Sequence, residues 1–242
     1  MMTVIIVDDE RLARTGLRSL LEKFDDVEIV DEASNADEAI EKIEEKQPDL
    51  LFLDIQMPEK TGFDLLEMLP VVPEVIFTTA YDEYALKAFE INALDYLMKP
   101  IDLKRLEDAM KKVRETFIKE KETTMPKPTG KLSENDQVFV KDGEKCWFVK
   151  LTDISLFESE GNYVKVYFKE NRPLIHRSLN TLDERLDDKL FFRASRKYII
   201  NLKWIDKIEP WFNGGLMVKL LGGQRIEISR RQAAKFKEKL SL

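Results

Sequence analysis

The sequence predicts an α/β domain with a doubly wound parallel sheet in its first half, followed by a mainly antiparallel β domain. Three observations carry this. Over the first hundred residues, short and nearly continuous apolar runs alternate with segments of helical period, the pattern of buried parallel strands and their crossover helices. From residue 137 onward the apolar runs are rich in β-branched and aromatic residues and are punctuated by glycine-containing turns, the pattern of antiparallel hairpins. Between them KEKETTMPKPTGKLSEND (119–136) is almost free of apolar residues and reads as a flexible, partly extended linker.

The strands of the first half are TVIIV (3–7), VEIVDEA (27–33), LLFL (50–53), EVIFT (74–78) and LDYLM (94–98). The helices are ERLARTGLRSLLEKF (10–24), NADEAIEKIEEK (35–46), TGFDLLEML (61–69), DEYALKAFEI (82–91) and DLKRLEDAMKKVRETFIKE (102–120). Five strands alternating with helices predict a flavodoxin-like sheet whose strand order reverses between the first and third strands.

Ligands of such sheets bind outside the carboxyl ends of the strands, at that reversal. Asp8-Asp9, Asp54, Thr79-Ala80 and Lys99-Pro100 each follow a strand. Three carboxylates, a hydroxyl and an amine are thus expected in one crevice. A hard cation such as Mg2+ takes oxygen ligands, usually one or two carboxylates with waters and phosphate oxygens. Asp9 and Asp54 read as direct ligands and Asp8 as one acting through a water. A carboxylate can also be the nucleophile that receives a phosphoryl group. Lys99 supplies a mobile positive charge and Thr79 a hydroxyl donor. A cation keeps crowded carboxylates ionised.

On VIIVDDE (4–10), LLFLDIQMP (50–58), FTTAYDEYALKAFE (77–90) and ALDYLMKP (93–100), residues 1–119 resemble the receiver domain of two-component response regulators. The resemblance implies Asp54 as phosphoacceptor, Asp8 and Asp9 as the acidic pair, and a backbone carbonyl of Gln56 on the metal. Thr79 and Lys99 would read the phosphoryl group, and Tyr96 would be the aromatic that turns inward on activation. It also implies a cis Lys99-Pro100 bond, where trans is the expectation without it. Glu10, Asp82 and Asp95 either add acidity near the crevice or are surface charges.

A chain of 242 residues with 43% hydrophobic residues fits two globular domains better than one. The expected divisions are a receiver at 1–120, a linker at 121–136 and a second domain at 137–242. No apolar stretch is long enough to span a bilayer, and no signal peptide is recognisable, so a cytoplasmic protein is expected. The single Cys146 fits a reducing compartment and reads as a buried or half-buried strand residue rather than a reactive thiol. The single His176 reads as structural rather than as a ligand. The net charge of −7 conceals two unlike halves: residues 1–120 carry a net −14 and residues 121–242 a net +7. A basic half suits approach to phosphate backbones, although a solvated lysine-rich surface reads the same way.

The strands of the second half are QVFVK (137–141), CWFVKL (146–151), DISLFES (153–159), YVKVYF (163–168), RPLIHR (172–177), KYIIN (197–201), WIDKIEPW (204–211), LMVKL (216–220) and RIEI (225–228). Two helices are expected, SLNTLDERLD (178–187), with Leu179, Leu182 and Leu186 on one face, and SRRQAAKFKEKL (229–240), capped by Ser229.

On DISLFESEGNYVKVYF, RSLNTLDERL, FFRASRKYIINLKWIDKIEP and IEISRRQAAKFKEKL, this half resembles the LytTR DNA-binding domain of LytR/AlgR-type regulators. The resemblance implies that loops between strands, not a recognition helix, enter the major groove. Three places would then touch DNA: Asn162, Tyr163 and Lys165; Arg196 and Lys197; Arg230 and Arg231. Arg196 and Arg231 are assigned to base edges, since arginine forks read guanine; Lys165, Lys197 and Arg230 are assigned mainly to phosphates. The sequence departs from the family at Ser195, where members usually carry His. Arg185, Lys235, Lys237 and Lys239 read as solvated helix faces, and Trp147, Trp204 and Trp211 as packing residues. Arg193 reads as a partner of an acidic group within the domain.

The function expected is a phosphorylation-controlled transcription regulator. A histidine kinase would phosphorylate Asp54 with Mg2+, the surface over roughly 82–118 would rearrange, and a homodimer would bind repeated half-sites in promoter double-stranded DNA. Two rival readings are a metal-dependent phosphohydrolase with an outside substrate and a module that binds protein or RNA. No enzyme activity beyond the receiver's own phosphorylation and dephosphorylation is expected.

Overall fold

The computed structural model describes residues 1–80, 93–121, 132–143 and 145–240, with residues 118–121 described by their backbone alone. The helix expected at 82–91, Asp82 and most of the 121–136 linker lie outside the described residues. The chain forms two compact units.

In the first unit, β1 (Met2–Val7), β2 (Val27–Ala33), β3 (Leu50–Asp54), β4 (Glu74–Thr79) and β5 (Asp95–Met98) form one sheet in the order β2-β1-β3-β4-β5. All its pairings are parallel, and the order reverses between β1 and β3, as the sequence predicts. Among the described residues four helices accompany it, α1 (Arg11–Leu21), α2 (Ala36–Lys46), α3 (Gly62–Met68) and α4 (Leu103–Lys121).

Strand alternation divides the apolar residues between two faces. Ile5, Val7, Leu51, Leu53, Val75 and Phe77 pack with Ala39 and Ile43 of α2 and Leu65 and Leu66 of α3. Val4, Ile6, Leu50, Phe52, Ile76 and Leu97 pack with Leu17 and Leu21 of α1 and Leu106, Met110 and Val113 of α4. Both faces are buried, which explains why the strands read as continuous apolar runs. The unit also takes in residues 137–139 and 145–148. Their Phe139, Cys146 and Phe148 extend the first face, with ring centroids 6.2 Å apart for Phe63 and Phe139 and 6.4 Å for Phe77 and Phe148. Cys146 is buried, as expected of a strand residue.

Helix starts follow local chemistry. Asn35 accepts a hydrogen bond from the Glu38 N–H and caps α2. Thr61 and Asp64 form a reciprocal capping box on α3.

The second unit is built from β6 (Gln137–Asp142) and β7 (Lys145–Lys150), each only in part, with β8 (Ile154–Glu160), β9 (Tyr163–Phe168), β10 (Leu174–Ile175), β11 (Phe191–Arg193), β12 (Tyr198–Asn201), β13 (Ile205–Pro210), β14 (Leu216–Leu220) and β15 (Arg225–Ile228). A five-stranded sheet runs β10-β9-β8-β12-β11 and a three-stranded one β13-β14-β15. Both are antiparallel throughout. Helix α5 (Leu179–Arg185) buries Leu179 and Leu182, and α6 (Arg230–Lys239) buries Ala233 and Phe236.

Three local expectations are corrected. Of RPLIHR only Leu174–Ile175 is strand, because Pro173 has no N–H to give a ladder. Phe191–Arg193, not expected as a strand, pairs with β12. Ser229 occupies the N-cap position of α6, but its hydroxyl makes no cap hydrogen bond.

Candidate functional site

The carboxyl ends of β1, β3, β4 and β5 deliver the expected side chains to the edge of the first sheet. Asp8 follows β1, Asp54 is the last residue of β3, Thr79 the last of β4, and Lys99 the first after β5. Ligand oxygens of Asp8, Asp9 and Asp54 all lie within 4.8 Å of one another. Asp8 and Asp54 are buried, whereas Asp9 is exposed. Lys99 Nζ bridges the buried pair, 2.7 Å from Asp8 Oδ2 and 2.7 Å from Asp54 Oδ2. Main-chain donors hold the carboxylates from the other side: the Glu10 N–H donates to Asp8 Oδ1 at 2.9 Å and the Gln56 N–H to Asp54 Oδ1 at 3.1 Å.

Burial pushes the Asp54 carboxyl above its ordinary value; the Lys99 ammonium opposes that shift, and Asp8 adds to it. Burial also works against the charge on Lys99, but the hydrogen bonds to Asp54 and Asp8 outweigh it and hold Lys99 above its ordinary value. The site thus concentrates more negative than positive charge in a partly dry pocket, on hard oxygen donors. The residues present fit a small divalent cation, with Asp9 the carboxylate most open to it.

Thr79 is fully buried, and its Oγ1 has no hydrogen-bond partner among the described residues. A buried hydroxyl left unmatched costs free energy. The backbone ties this residue to Lys99, whose N–H donates to the Thr79 carbonyl at 2.9 Å. The Lys99-Pro100 bond is cis, in agreement with the resemblance. Tyr96 is half-buried against the first core face.

Two neighbours change meaning. Asp95 is neither a surface charge nor part of the crevice, because it is buried and paired with Arg105 and Lys112 of α4. Burial opposes its charge, but the hydrogen bonds, first that from Arg105, hold its carboxyl below the ordinary value. Glu10 is exposed, with Oε2 3.9 Å from Lys99 Nζ. A Cβ at Gly62 would stand 2.4 Å from the Asp54 carbonyl oxygen, so α3 approaches the Asp54 segment as closely as only glycine allows.

In the second unit, Asn162, Tyr163 and Arg196 line one cleft of about 810 Å3, together with His176, Arg177 and Arg193. Arg196 and Lys197 form the exposed tip between β11 and β12. Lys197 Nζ lies 2.9 Å from Glu158 Oε1 and 5.3 Å from the Tyr198 ring centroid. Lys165 pairs with Glu160. Both expected phosphate-binding lysines are therefore held by carboxylates of β8. Burial would lift the Glu158 carboxyl, but hydrogen bonds from Tyr167 and then Lys197 hold it below its ordinary value.

Arg230 and Arg231 are exposed at the start of α6, where the Arg230 stem passes Gly214. Ser195, the departure from the family, turns its hydroxyl to the tip itself and accepts from the Lys197 N–H at 3.1 Å. Among the described residues Arg193 makes no close ion pair, although Asp183 attracts it electrostatically; it donates to the carbonyls of Ser195 and Arg196 and to Asn180 Oδ1. His176, read as structural, lines the cleft with its ring 5.4 Å from that of Tyr163. No local sequence signal announces its placement. Trp204 is a packing residue whose indole N–H donates to the Thr152 carbonyl at 2.8 Å. Trp211 is partly exposed and meets Phe212 edge-on, their ring centroids 4.8 Å apart.

Residues 4–111 match the response regulator receiver domain family, and residues 144–241 match the LytTr DNA-binding domain family. Along its whole length the chain is similar to proteins named as sensory transduction and transcriptional regulatory proteins. It is 37% identical over 245 residues to the sensory transduction protein LytT of Enterococcus faecalis, with all of both chains covered. It is 34% identical over 245 residues to LytT of Bacillus subtilis and 36% identical over 249 residues to the transcriptional regulatory protein BtsR of Salmonella typhi, again with all of both chains covered. No helix among the described residues is long and apolar enough to cross a membrane.

Proposed function

This chain belongs to the LytTR-type two-component response regulators, DNA-binding transcription regulators controlled through a receiver domain, and within that family we propose that Asp54 is the residue through which the control is exerted. The observation that carries this reading is a buried Thr79 hydroxyl with no partner among the described residues, at the strand end next to that of Asp54, together with an ammonium that already spans Asp8 and Asp54. These groups are arranged to receive negative charge at Asp54.

A sensor histidine kinase would present a phosphohistidine. An Asp54 carboxylate oxygen forms a bond to phosphorus while the N–P bond of the donor breaks, and the leaving imidazole regains a proton. Receivers bind Mg2+ at an acidic pocket; here Asp8, Asp9, Asp54 and the Gln56 carbonyl would hold it, and it would neutralise charge on the transferring group. Lys99 moves its contact from the carboxylates to a phosphoryl oxygen. The Thr79 hydroxyl donates to another oxygen, and Tyr96 turns inward behind it. The acidic crevice thus acts on Asp54 itself and on no outside substrate.

Two receivers then pair, and the dimer places two basic domains on repeated half-sites of promoter DNA in the cytoplasm. Linking the two sites raises affinity through effective concentration. On this reading the receiver spans 1–120, the linker 121–136 and the DNA-binding domain 137–242, although residues 137–139 and 145–148 group with the first compact unit. Asn162, Tyr163 and Arg196 face DNA from the cleft, and Lys165, Lys197, Arg230 and Arg231 contact it as well. Exposure of Arg196, Lys197, Arg230 and Arg231 on a half that carries a net +7 supports the assignment, and Lys165 is half-buried.

A small-molecule acyl phosphate with Mg2+ tests the first step. Intact-protein mass spectrometry should show one added phosphoryl group on the natural chain and none on Asp54→Asn. Equal labelling of both proteins would refute the assignment of Asp54.

A further inference from the structure

The cleft and the tip between β11 and β12 are held together by one side chain. Arg193 is the last residue of β11, and its register partner is Ile199 of β12. The turn between them closes through the Ala194 and Ser195 N–H groups, which donate to the Tyr198 carbonyl at 3.0 and 3.3 Å. Beneath this turn Arg193 Nε donates to the Ser195 carbonyl at 2.7 Å, and Nη2 donates to the Arg196 carbonyl at 3.1 Å. Nη2 also reaches Asn180 Oδ1 of α5 at 3.3 Å. From the other side, Gln232 Nε2 of α6 donates to the Arg193 carbonyl at 3.3 Å.

One residue therefore connects the tip that carries Arg196 and Lys197, the helix behind the cleft, and the helix that begins with Arg230 and Arg231. The remaining nitrogen, Nη1, is buried and has no hydrogen-bond partner among the described residues, while Nε and Nη2 are committed to the tip and to α5. A planar fork with several fixed donors can hold two successive carbonyls, whereas a lysine ammonium acts as a single point charge.

We propose that Arg193 is a positioning residue for DNA recognition: it fixes the Ser195–Lys197 tip so that Arg196 meets a base edge in a set orientation, without itself touching DNA. The proposal rests on the reading of that tip as a DNA contact. Fixing the backbone beforehand removes an ordering cost from binding, and only contacts that depend on orientation gain from it. Sequence-selective affinity should therefore depend on Arg193, while charge-driven affinity for any DNA should not.

The test uses the full chain and its Arg193→Lys variant, which keeps the charge and the aliphatic stem. Binding is measured on a DNA site selected with the natural chain and on random-sequence DNA, over a range of salt. Affinity for the selected site should fall about tenfold, the scale of one lost hydrogen bond to a charged group. Affinity for random DNA and the slope of log affinity against log salt should stay the same. Amide hydrogen exchange at Arg196 and Lys197 should quicken, while that of Leu156 and Ile200 stays as in the natural chain.

Equal affinity for the selected site would overturn the proposal. So would unchanged exchange at the tip. A salt slope smaller by about 0.9 would overturn it too, because that is the signature of a lost phosphate contact. If the natural chain selects no DNA, the reading of the tip fails, and the exchange measurement still decides whether Arg193 orders it. If Arg193→Lys melts early, Asn180→Ala serves in its place: it removes one guanidinium partner at an exposed position and should lower selectivity by about two- to threefold. No loss of selectivity in that variant would count against the proposal.

Discussion

Lys99 Nζ lies 2.7 Å from Asp54 Oδ2, and the same ammonium bridges to Asp8. The resting receiver therefore balances part of its carboxylate charge with its own lysine. Lys99 and an incoming cation must share these oxygens. Replacing Lys99 by Met should strengthen Mg2+ binding by about tenfold or more, because a like charge a few ångströms away has been removed. Calorimetric titration of both proteins with Mg2+ measures this. The same variant should accept a phosphoryl group yet show no phosphorylation-dependent change in DNA affinity. Unchanged Mg2+ affinity would mean that the lysine does not compete for the carboxylates.

Gly62 is a second point of tension. A Cβ there meets the Asp54 carbonyl oxygen at 2.4 Å, which neither backbone can accommodate without moving. Gly62→Ala should cost about 1–3 kcal/mol of stability, the scale of an overpacked core position. It should also slow the proposed phosphorylation of Asp54, since the strand end that carries this carboxylate is displaced. Denaturant unfolding and the rate of labelling check the two effects separately.

On the second unit, Glu158 holds Lys197 while also accepting from the Tyr167 and Tyr198 hydroxyls. Removing the carboxylate charge with Glu158→Gln should release Lys197 to the DNA backbone. Affinity for random-sequence DNA should rise, and the salt slope should steepen by about 0.9 for one additional phosphate contact. Identical slopes for the two proteins would show that Lys197 does not reach a phosphate.

The pH dependence of receiver stability has a named contributor. The Lys42 ammonium, and then the Ser34 N–H, lower the Glu38 carboxyl from 4.5 to about 2. A depressed carboxyl stabilises the folded state above its unfolded value, and that contribution is lost as pH falls from 4.5 toward about 2. The difference in melting temperature between the natural chain and Glu38→Gln should therefore be largest near neutrality and shrink across that window. Glu38 is about a third exposed, so the effect should be small and should weaken further in salt. A difference that stayed constant with pH would exclude Glu38 as the source.

Much of the receiver was legible because its chemistry follows its strands. Asp8, Asp54, Thr79 and Lys99 stand at the ends of apolar runs, and parallel strands bring such ends to one edge. Asp54 and Thr79 prove to be the last residues of their strands rather than the first after them, because Asp54 pairs in register with Thr78, and Thr79 with Met98. Gly62 was not legible as a close approach, since its constraint comes from a carbonyl eight positions earlier. Nor was the placement of Arg193, whose partners Asn180, Ser195, Arg196 and Gln232 converge only through tertiary packing. Asp95 misled for the same reason: its partners Arg105 and Lys112 are supplied by the next helix. The three-residue strand Phe191–Arg193 is too short to show a period of two.

The central claim is that negative charge at Asp54 governs DNA binding by the second domain. The most direct test is binding of the full-length protein to a genomic fragment library, with and without beryllofluoride plus Mg2+ as a phosphoryl mimic. Selective enrichment of fragments with paired sites, strengthened by the mimic and lost in Asp54→Asn, is the result expected. Selective enrichment that is the same with and without the mimic would contradict control through Asp54.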